Sequence, residues 1–194
     1  MESWDRNVIL EYLSRHVSKA RLTHCLGVEE IALKLAPRFN VMPEMVPPAA
    51  LLHDLCREYN PESLLKLAAN FGIVIDDIEK AEPLLLHGPV AAAQVRENLR
   101  IIQPEILEAI QYHITGAANI TDLTQLIFIA DFIEPGRPYE PARVLREQAF
   151  LLEPGQLLLK VYNHAIIFVV SQGYLVHPRT MEGRNQLIMK GIQH

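Results

Sequence analysis

Apolar residues recur at three- and four-residue intervals along most of the chain, the spacing of helices that each bury one face. Residues 7–17 place Val8, Ile9, Tyr12 and Leu13 on such a face. Residues 21–39 predict a longer helix, with Leu22, Leu26, Ile31, Leu33 and Leu35 as its stripe and Pro37 weakening its end. Pro47 and Pro48 suit the first turn of a third helix, which runs on to His53 and Asp54. Asn60 caps a fourth, with Leu64, Leu65, Leu67 and Ala68 inward, closing at Gly72. A short helix or turn follows at Asp76-Asp77, then helical patterns over 90–99, 104–113 and 123–133. Thr115-Gly116 breaks the second of these, and Glu134-Pro135-Gly136 ends the third. The last third, 142–173 and 180–192, keeps helical spacing around Leu151, Leu158, Val161, Ile166 and Val169. No strand-like alternation is long enough to build a sheet. The expectation is an all-α protein, residues 1–194 forming a single compact bundle of about nine or ten helices.

Composition narrows the function classes. A 49% apolar content in 194 residues is ample for one core. The formal charge of -5 and the scatter of Lys and Arg among acids argue against nucleic acid as a partner, since phosphate-backbone affinity needs clustered bases. A polyanionic small molecule stays open, because bound divalent cations would reverse the local sign. Cys25 and Cys56, with no paired spacing, read as small buried hydrophobes in a reducing compartment. The first residues, Met1 to Arg6, carry acids where a secretory leader needs bases, and the longest apolar runs are about six residues, far short of a span. The expected location is cytoplasmic, with no membrane partner.

Chemistry concentrates at six residues from five segments: His24, His53 with Asp54, His87, His113 and Asp131, all at helix ends or in apolar settings. For Asp131 alone, a buried carboxylate must be paired with an arginine or bind a metal, since unpaired burial is costly. Imidazole and carboxylate without thiolate suit Fe, Mn, Mg, Zn, Co or Ni rather than a structural cysteine zinc site. Six ligands exceed what one catalytic ion takes from protein while leaving room for water. The reading is therefore two ions: His24, His53, Asp54 and Asp131 hold one, and His87 and His113 with the other oxygen of Asp54 hold the second. Asp54, His87 and His113 form the catalytic set, and a water shared by the ions is the nucleophile for a phosphoric anhydride or ester. Arg137 and Arg57 are candidate phosphate contacts, with Thr115, Gly116 and Gly88 offering a hydroxyl and close backbone amides. His16 and His164 are read as core-margin residues, His177 as a turn residue, and His194 as terminal. Glu134 is read as a surface acid in preference to a partner of a metal ligand.

The motifs resemble a known family. His24 in Arg21-Leu22-Thr23-His24-Cys25-Leu26-Gly27-Val28, the His53-Asp54 pair and the later Asp131 resemble the HD-domain metal-dependent phosphohydrolases. Leu86-His87-Gly88-Pro89, Tyr112-His113-Ile114-Thr115-Gly116, Ala130-Asp131-Phe132-Ile133-Glu134-Pro135-Gly136-Arg137 and the tail from His177 to Asn185 are similar to the YqeK-type symmetrical bis(5'-nucleosyl)-tetraphosphatases. Ile114 stands where a polar residue is expected, and Gly183 where alanine is commoner. The resemblance implies an all-helical enzyme that hydrolyses diadenosine tetraphosphate to two ADP at a dinuclear centre, iron foremost, with a small-molecule nucleotide as its partner. It leaves a homodimer open. The rivals are another nucleotide phosphohydrolase on the same scaffold and a non-catalytic nucleotide or metal sensor. Arg57-Glu58 occupies the place where guanosine tetraphosphate hydrolases carry an acidic pair.

Overall fold

A computed structural model describes residues 4–193. Among them the chain forms eleven α-helices, three short 3-10 turns and no strand. Met1, Glu2 and Ser3, in the stretch read for a leader, and His194 lie outside the described residues.

The helices are α1 (Arg6–Ser14), α2 (Lys19–Leu35), α3 (Val46–Leu52), α4 (Pro61–Asn70), α5 (Asp77–Ala81) and α6 (His87–Asn98). They continue as α7 (Pro104–Tyr112), α8 (Asp122–Ile133), α9 (Glu140–Gln148), α10 (Pro154–Ser171) and α11 (Pro178–Met189). Local chemistry sets their starts. Asp5, Ser18, Asn60, Asp76 and Thr121 each accept a backbone N–H at a helix N-terminus, satisfying donors that the helix cannot. Pro61, Pro104, Pro154 and Pro178 open helices where their missing N–H costs nothing.

Three departures from the sequence reading have physical causes. The 142–173 pattern is two helices, because Pro154 cannot continue α9 and Glu153 with Gln156 forms a new capping box. The 21–39 pattern ends as α-helix at Leu35 and tightens into the 3-10 turn Ala36–Phe39 around Pro37. The third helix stops at Leu52: His53 N–H still reaches Ala49 O at 3.1 Å, but Asp54 lies in the tight turns that follow.

One contiguous core joins these elements. α2 lies against α3 and α8, and α7 lies between α6 and α8. Leu35, Leu51, Leu52, Ile106, Ile110, Leu126 and Ile127 are fully buried among them. At roughly 1.5–3 kcal/mol per buried large side chain, this packing fixes the ends of α2, α3, α7 and α8 relative to one another. No described helix is long and apolar enough to cross a membrane.

The tail is pinned to α5. His177 caps α11, donates through Nε2 to Asp76 Oδ2 at 2.9 Å, and accepts the Arg179 N–H at Nδ1. Arg179 in turn donates to buried Glu79 at 2.9 Å. Asp76, Glu79 and His177 are close enough to share an ion, yet their polar atoms already satisfy one another, so this is a latch. His164 sits half-buried, stacked on Phe132. His16, in contrast to its core-margin reading, is exposed just past α1 and stacks on Tyr12.

Candidate metal centre and active site

Five segments deliver six side chains to one point. His24 comes from within α2, His53 and Asp54 from the turn after α3, His87 from the start of α6, His113 from the residue after α7, and Asp131 from the last turn of α8. His53, Asp54, His87 and His113 are buried.

Their donor atoms sort around the two oxygens of one carboxylate. Asp54 Oδ2 lies 3.4 Å from His24 Nε2 and 3.5 Å from His53 Nε2. Asp131 Oδ1 closes that group, 3.1 Å from His24 Nε2 and 3.9 Å from His53 Nε2. Asp54 Oδ1 instead lies 3.1 Å from His87 Nε2 and 3.4 Å from His113 Nε2. His53, Asp54 and His113 also offer atoms within 4.8 Å of one another, so the two groups adjoin.

The far side of each ring fixes its proton. Nδ1 of His53 donates to Ala50 O at 2.7 Å, that of His87 to Leu84 O at 2.5 Å, and that of His113 to Ile110 O at 2.8 Å. A carbonyl accepts only from N–H, so a ring held this way, when neutral, carries its lone pair on Nε2. Burial pushes the His87 imidazole down, which keeps it neutral. Yet Nε2 of His87 and Nε2 of His113 face each other at 2.9 Å. Two lone pairs at that distance repel unless a cation takes both. Nitrogens about 2.0–2.1 Å from a shared ion, at angles of about 90–110°, stand about 2.8–3.4 Å apart. The His87–His113 separation and the 3.3 Å between His24 and His53 Nε2 match that requirement. Rings oriented by backbone carbonyls with Nε2 bare are the arrangement metal-ligating histidines adopt.

A family model described as HD domain matches residues 21–136, more than half of the chain. The chain belongs to the HD domain family. Within it, the chain is 32% identical over 168 residues to the symmetrical bis(5'-nucleosyl)-tetraphosphatase of Staphylococcus aureus, covering 85% of each. It is 29% identical over 186 residues to the protein of that name from Halalkalibacterium halodurans, covering 96% of this chain and 98% of that one. Among solved structures, it superposes on a predicted HD superfamily hydrolase involved in NAD metabolism from Clostridium acetobutylicum with a TM-score of 0.91. The two are 32% identical, and the match covers 97% of this chain and 100% of that one.

Two charged residues of this HD domain escaped the sequence reading. Glu134 is buried, not a surface acid: Oε1 accepts from His24 Nδ1 at 3.2 Å, and Oε2 accepts the Gly136 N–H at 2.5 Å. It thus does for His24 what backbone carbonyls do for the other rings. The signal for it is Gly27, within α2. A Cβ there would come 2.6 Å from Glu134 Oε2, which explains a glycine inside a helix despite its cost of about 1 kcal/mol. Arg21, one turn before His24, donates from Nη1 to Asp54 Oδ2 at 2.5 Å. Its spacing of three from His24 is the signal that places it on the same helix face.

A cavity of about 140 Å³ opens onto the centre. Arg21, Arg57, Arg137 and Ile114 line it together with members of the cluster. Arg137 is committed to Asp131, donating from Nη2 to Oδ1 at 2.5 Å and from Nε to the backbone oxygen at 3.0 Å. Arg57 has no ion pair or hydrogen bond from its side chain among the described residues. The three backbone candidates have packing reasons instead and do not line the cavity. Gly88 brings α6 against the Gln111 carbonyl, and Gly116, at φ +59°, lies where a Cβ would meet the Tyr162 hydroxyl at 2.0 Å. Thr115 donates its hydroxyl to Gly116 O at 2.9 Å.

The metal-free cluster attracts positive charge. Burial alone would lower His24, but hydrogen bonds with Asp131, Asp54 and Glu134 outweigh it and raise its pKa to about 10. Burial pushes Asp54 and Asp131 up, yet in the protonated cluster His53, His113 and His24 hold Asp54 well below the usual carboxylate range, and Arg137 and His24 do the same for Asp131. His24 titrates at 6.5 when unperturbed. Its contribution to the stability of the metal-free fold is therefore complete below pH 6.5 and lost as the pH rises through about 10. A metal competes with that proton. Metal uptake at pH 8 is expected to release about one proton from this group, measured by titration calorimetry in buffers of different ionisation enthalpy, and zero release would contradict His24 as a ligand.

Proposed function

We propose that this chain hydrolyses diadenosine tetraphosphate symmetrically to two ADP, using two metal ions held by His24, His53, Asp131 and Asp54 Oδ2 on one side and by His87, His113 and Asp54 Oδ1 on the other. The observation that carries the reading is the division of the four Nε2 nitrogens between the two oxygens of Asp54. The names of its relatives support the substrate, and membership of the HD domain family supports hydrolysis.

When bound, such ions, with iron foremost, supply Lewis acidity to the phosphoryl oxygens and lower the pKa of the attacking water. The chain contributes the rest. Asp54 presents one oxygen to each side of the centre, and its burial prevents it from turning out to solvent. The three carbonyl-bound imidazoles and Glu134-bound His24 cannot rotate without losing a hydrogen bond. This preorganisation spares reorganisation when charge develops in the transition state. Hydrolysis adds one water and breaks the central P–O–P bond, so each half leaves with two phosphates.

Among the cavity arginines, Arg57 is the better phosphate ligand, because Arg137 already serves Asp131 and Arg21 serves Asp54. Hydrogen bonds to a charged group contribute about 1.5–3 kcal/mol. Arg57→Ala is expected to raise KM roughly 10- to 100-fold while kcat stays within about threefold. Unchanged steady-state kinetics would remove Arg57 from the site.

Product analysis tests the function itself. Protein reconstituted with Fe or Mn and given diadenosine tetraphosphate is expected to yield ADP as its only nucleotide product by anion-exchange chromatography. ATP with AMP would overturn the symmetrical reading, and no turnover would overturn hydrolysis.

A further inference from the structure

We infer that Ile114 is the residue that reads the nucleoside and so sets this site to prefer nucleotides over bare inorganic polyphosphates. The inference rests on the nucleotide substrate proposed above. Every other described residue lining the cavity is an arginine, a histidine or an aspartate, and Ile114 is the one apolar member. It also stands where the motif around His113 is expected to carry a polar residue.

The wall behind Ile114 is built to keep it there. His113 and Thr115 on either side are buried, while Ile114 is partly exposed. The Gly116 N–H donates to Tyr112 O at 2.7 Å and closes the turn around it. Behind the turn, the Tyr162 hydroxyl donates to Ala117 O at 3.3 Å, and a Cβ at Gly116 or Gly183 would collide with that hydroxyl. From α11, Gln186 Oε1 accepts the Asn119 N–H at 2.9 Å. α10 and α11 thus brace the segment between α7 and α8, and Ile114 cannot fold back into the core without breaking these contacts. An isoleucine held at a polar cavity keeps apolar surface wet, which is unfavourable until a ligand covers it.

The dimensions select what covers it. The cavity, about 140 Å³, falls well short of the roughly 300–1,000 Å³ that encloses an organic ligand whole. Phosphates beside the His87–His113 pair fill it, and a nucleoside lies across its mouth. Phosphate oxygens need donors, which arginines supply and an isoleucine does not. The C–H face of a ribose or the flat face of a base needs the reverse. Ile114 directly follows His113, with Cα atoms about 3.8 Å apart, so this contact adjoins the phosphates.

The test compares ADP with inorganic pyrophosphate, which carry the same number of phosphates, binding by titration calorimetry to Mn-loaded protein in the same excess of Mn. Ile114→Ser is expected to weaken ADP about tenfold and to leave pyrophosphate within about twofold of wild type. Ile114→Val, which keeps an apolar branched face, should hold ADP within about threefold. Ile114→Thr, which keeps the branch and changes the polarity, should show the selective loss even if the serine variant fails to fold. Equal weakening of both ligands, or unchanged ADP affinity in a folded threonine or serine variant, overturns the inference. Binding is read without turnover. Selective loss of ADP in a protein that leaves diadenosine tetraphosphate uncut would therefore overturn the proposed reaction and uphold Ile114, whereas unselective binding alongside ADP production would do the opposite.

Discussion

Asp54→Asn is expected to lower hydrolysis of diadenosine tetraphosphate by about a thousandfold or more, the largest loss among single substitutions in the centre. The amide keeps the shape of the side chain but replaces one carboxylate oxygen by an NH2 that has no lone pair to give. Whichever way it turns, one side of the centre loses its oxygen, and the other keeps only a neutral carbonyl. Arg21 also loses the anion to which its Nη1 donates, leaving a guanidinium partly buried without its partner. The fold should survive, because His53, His87 and His113 hold their backbone hydrogen bonds independently of Asp54. A folded variant with turnover within about tenfold of wild type would mean that Asp54 is structural.

His113→Ala is expected to lower kcat by about a hundredfold or more while leaving the His24 side of the centre intact. Removing the imidazole leaves His87 Nε2 without the neighbour 2.9 Å away and Asp54 Oδ1 with one nitrogen in place of two. His24, His53, Asp131 and Asp54 Oδ2 keep their mutual spacing, because they hang from α2, from the turn after α3 and from α8. Kinetics in saturating Mn would read the loss, and a kcat equal to wild type would reduce the His87–His113 pair to packing.

Much of this centre was legible in the chain because its residues violate local expectations. An ionisable side chain at the apolar end of a helix, as at His53-Asp54 or Asp131, carries a desolvation cost that something must offset. Helical periodicity likewise revealed the bundle. What escaped depends on distances that periodicity does not encode. Glu134, followed by Pro135 and Gly136, reads as the exposed end of α8, and only the packing of α8 on α2 tucks it beneath His24 against Gly27. His177 reads as a turn residue, and its bond to Asp76 spans 101 positions. Gly88 and Gly116 read as contacts for a ligand because a glycine allows any close approach, and the approach here is by Gln111 and Tyr162. Gln148 to Pro154 kept apolar spacing through Leu151, which hid the boundary between α9 and α10.

The most direct measurement is the number of ions per chain. Protein reconstituted anaerobically with Fe or Mn, desalted and analysed by plasma mass spectrometry is expected to hold about two ions per chain in the wild type, about one in His113→Ala, and fewer than one in Asp54→Asn. A wild-type protein saturating at a single ion, or a His113→Ala variant that still holds two, would contradict a centre divided across the two oxygens of Asp54.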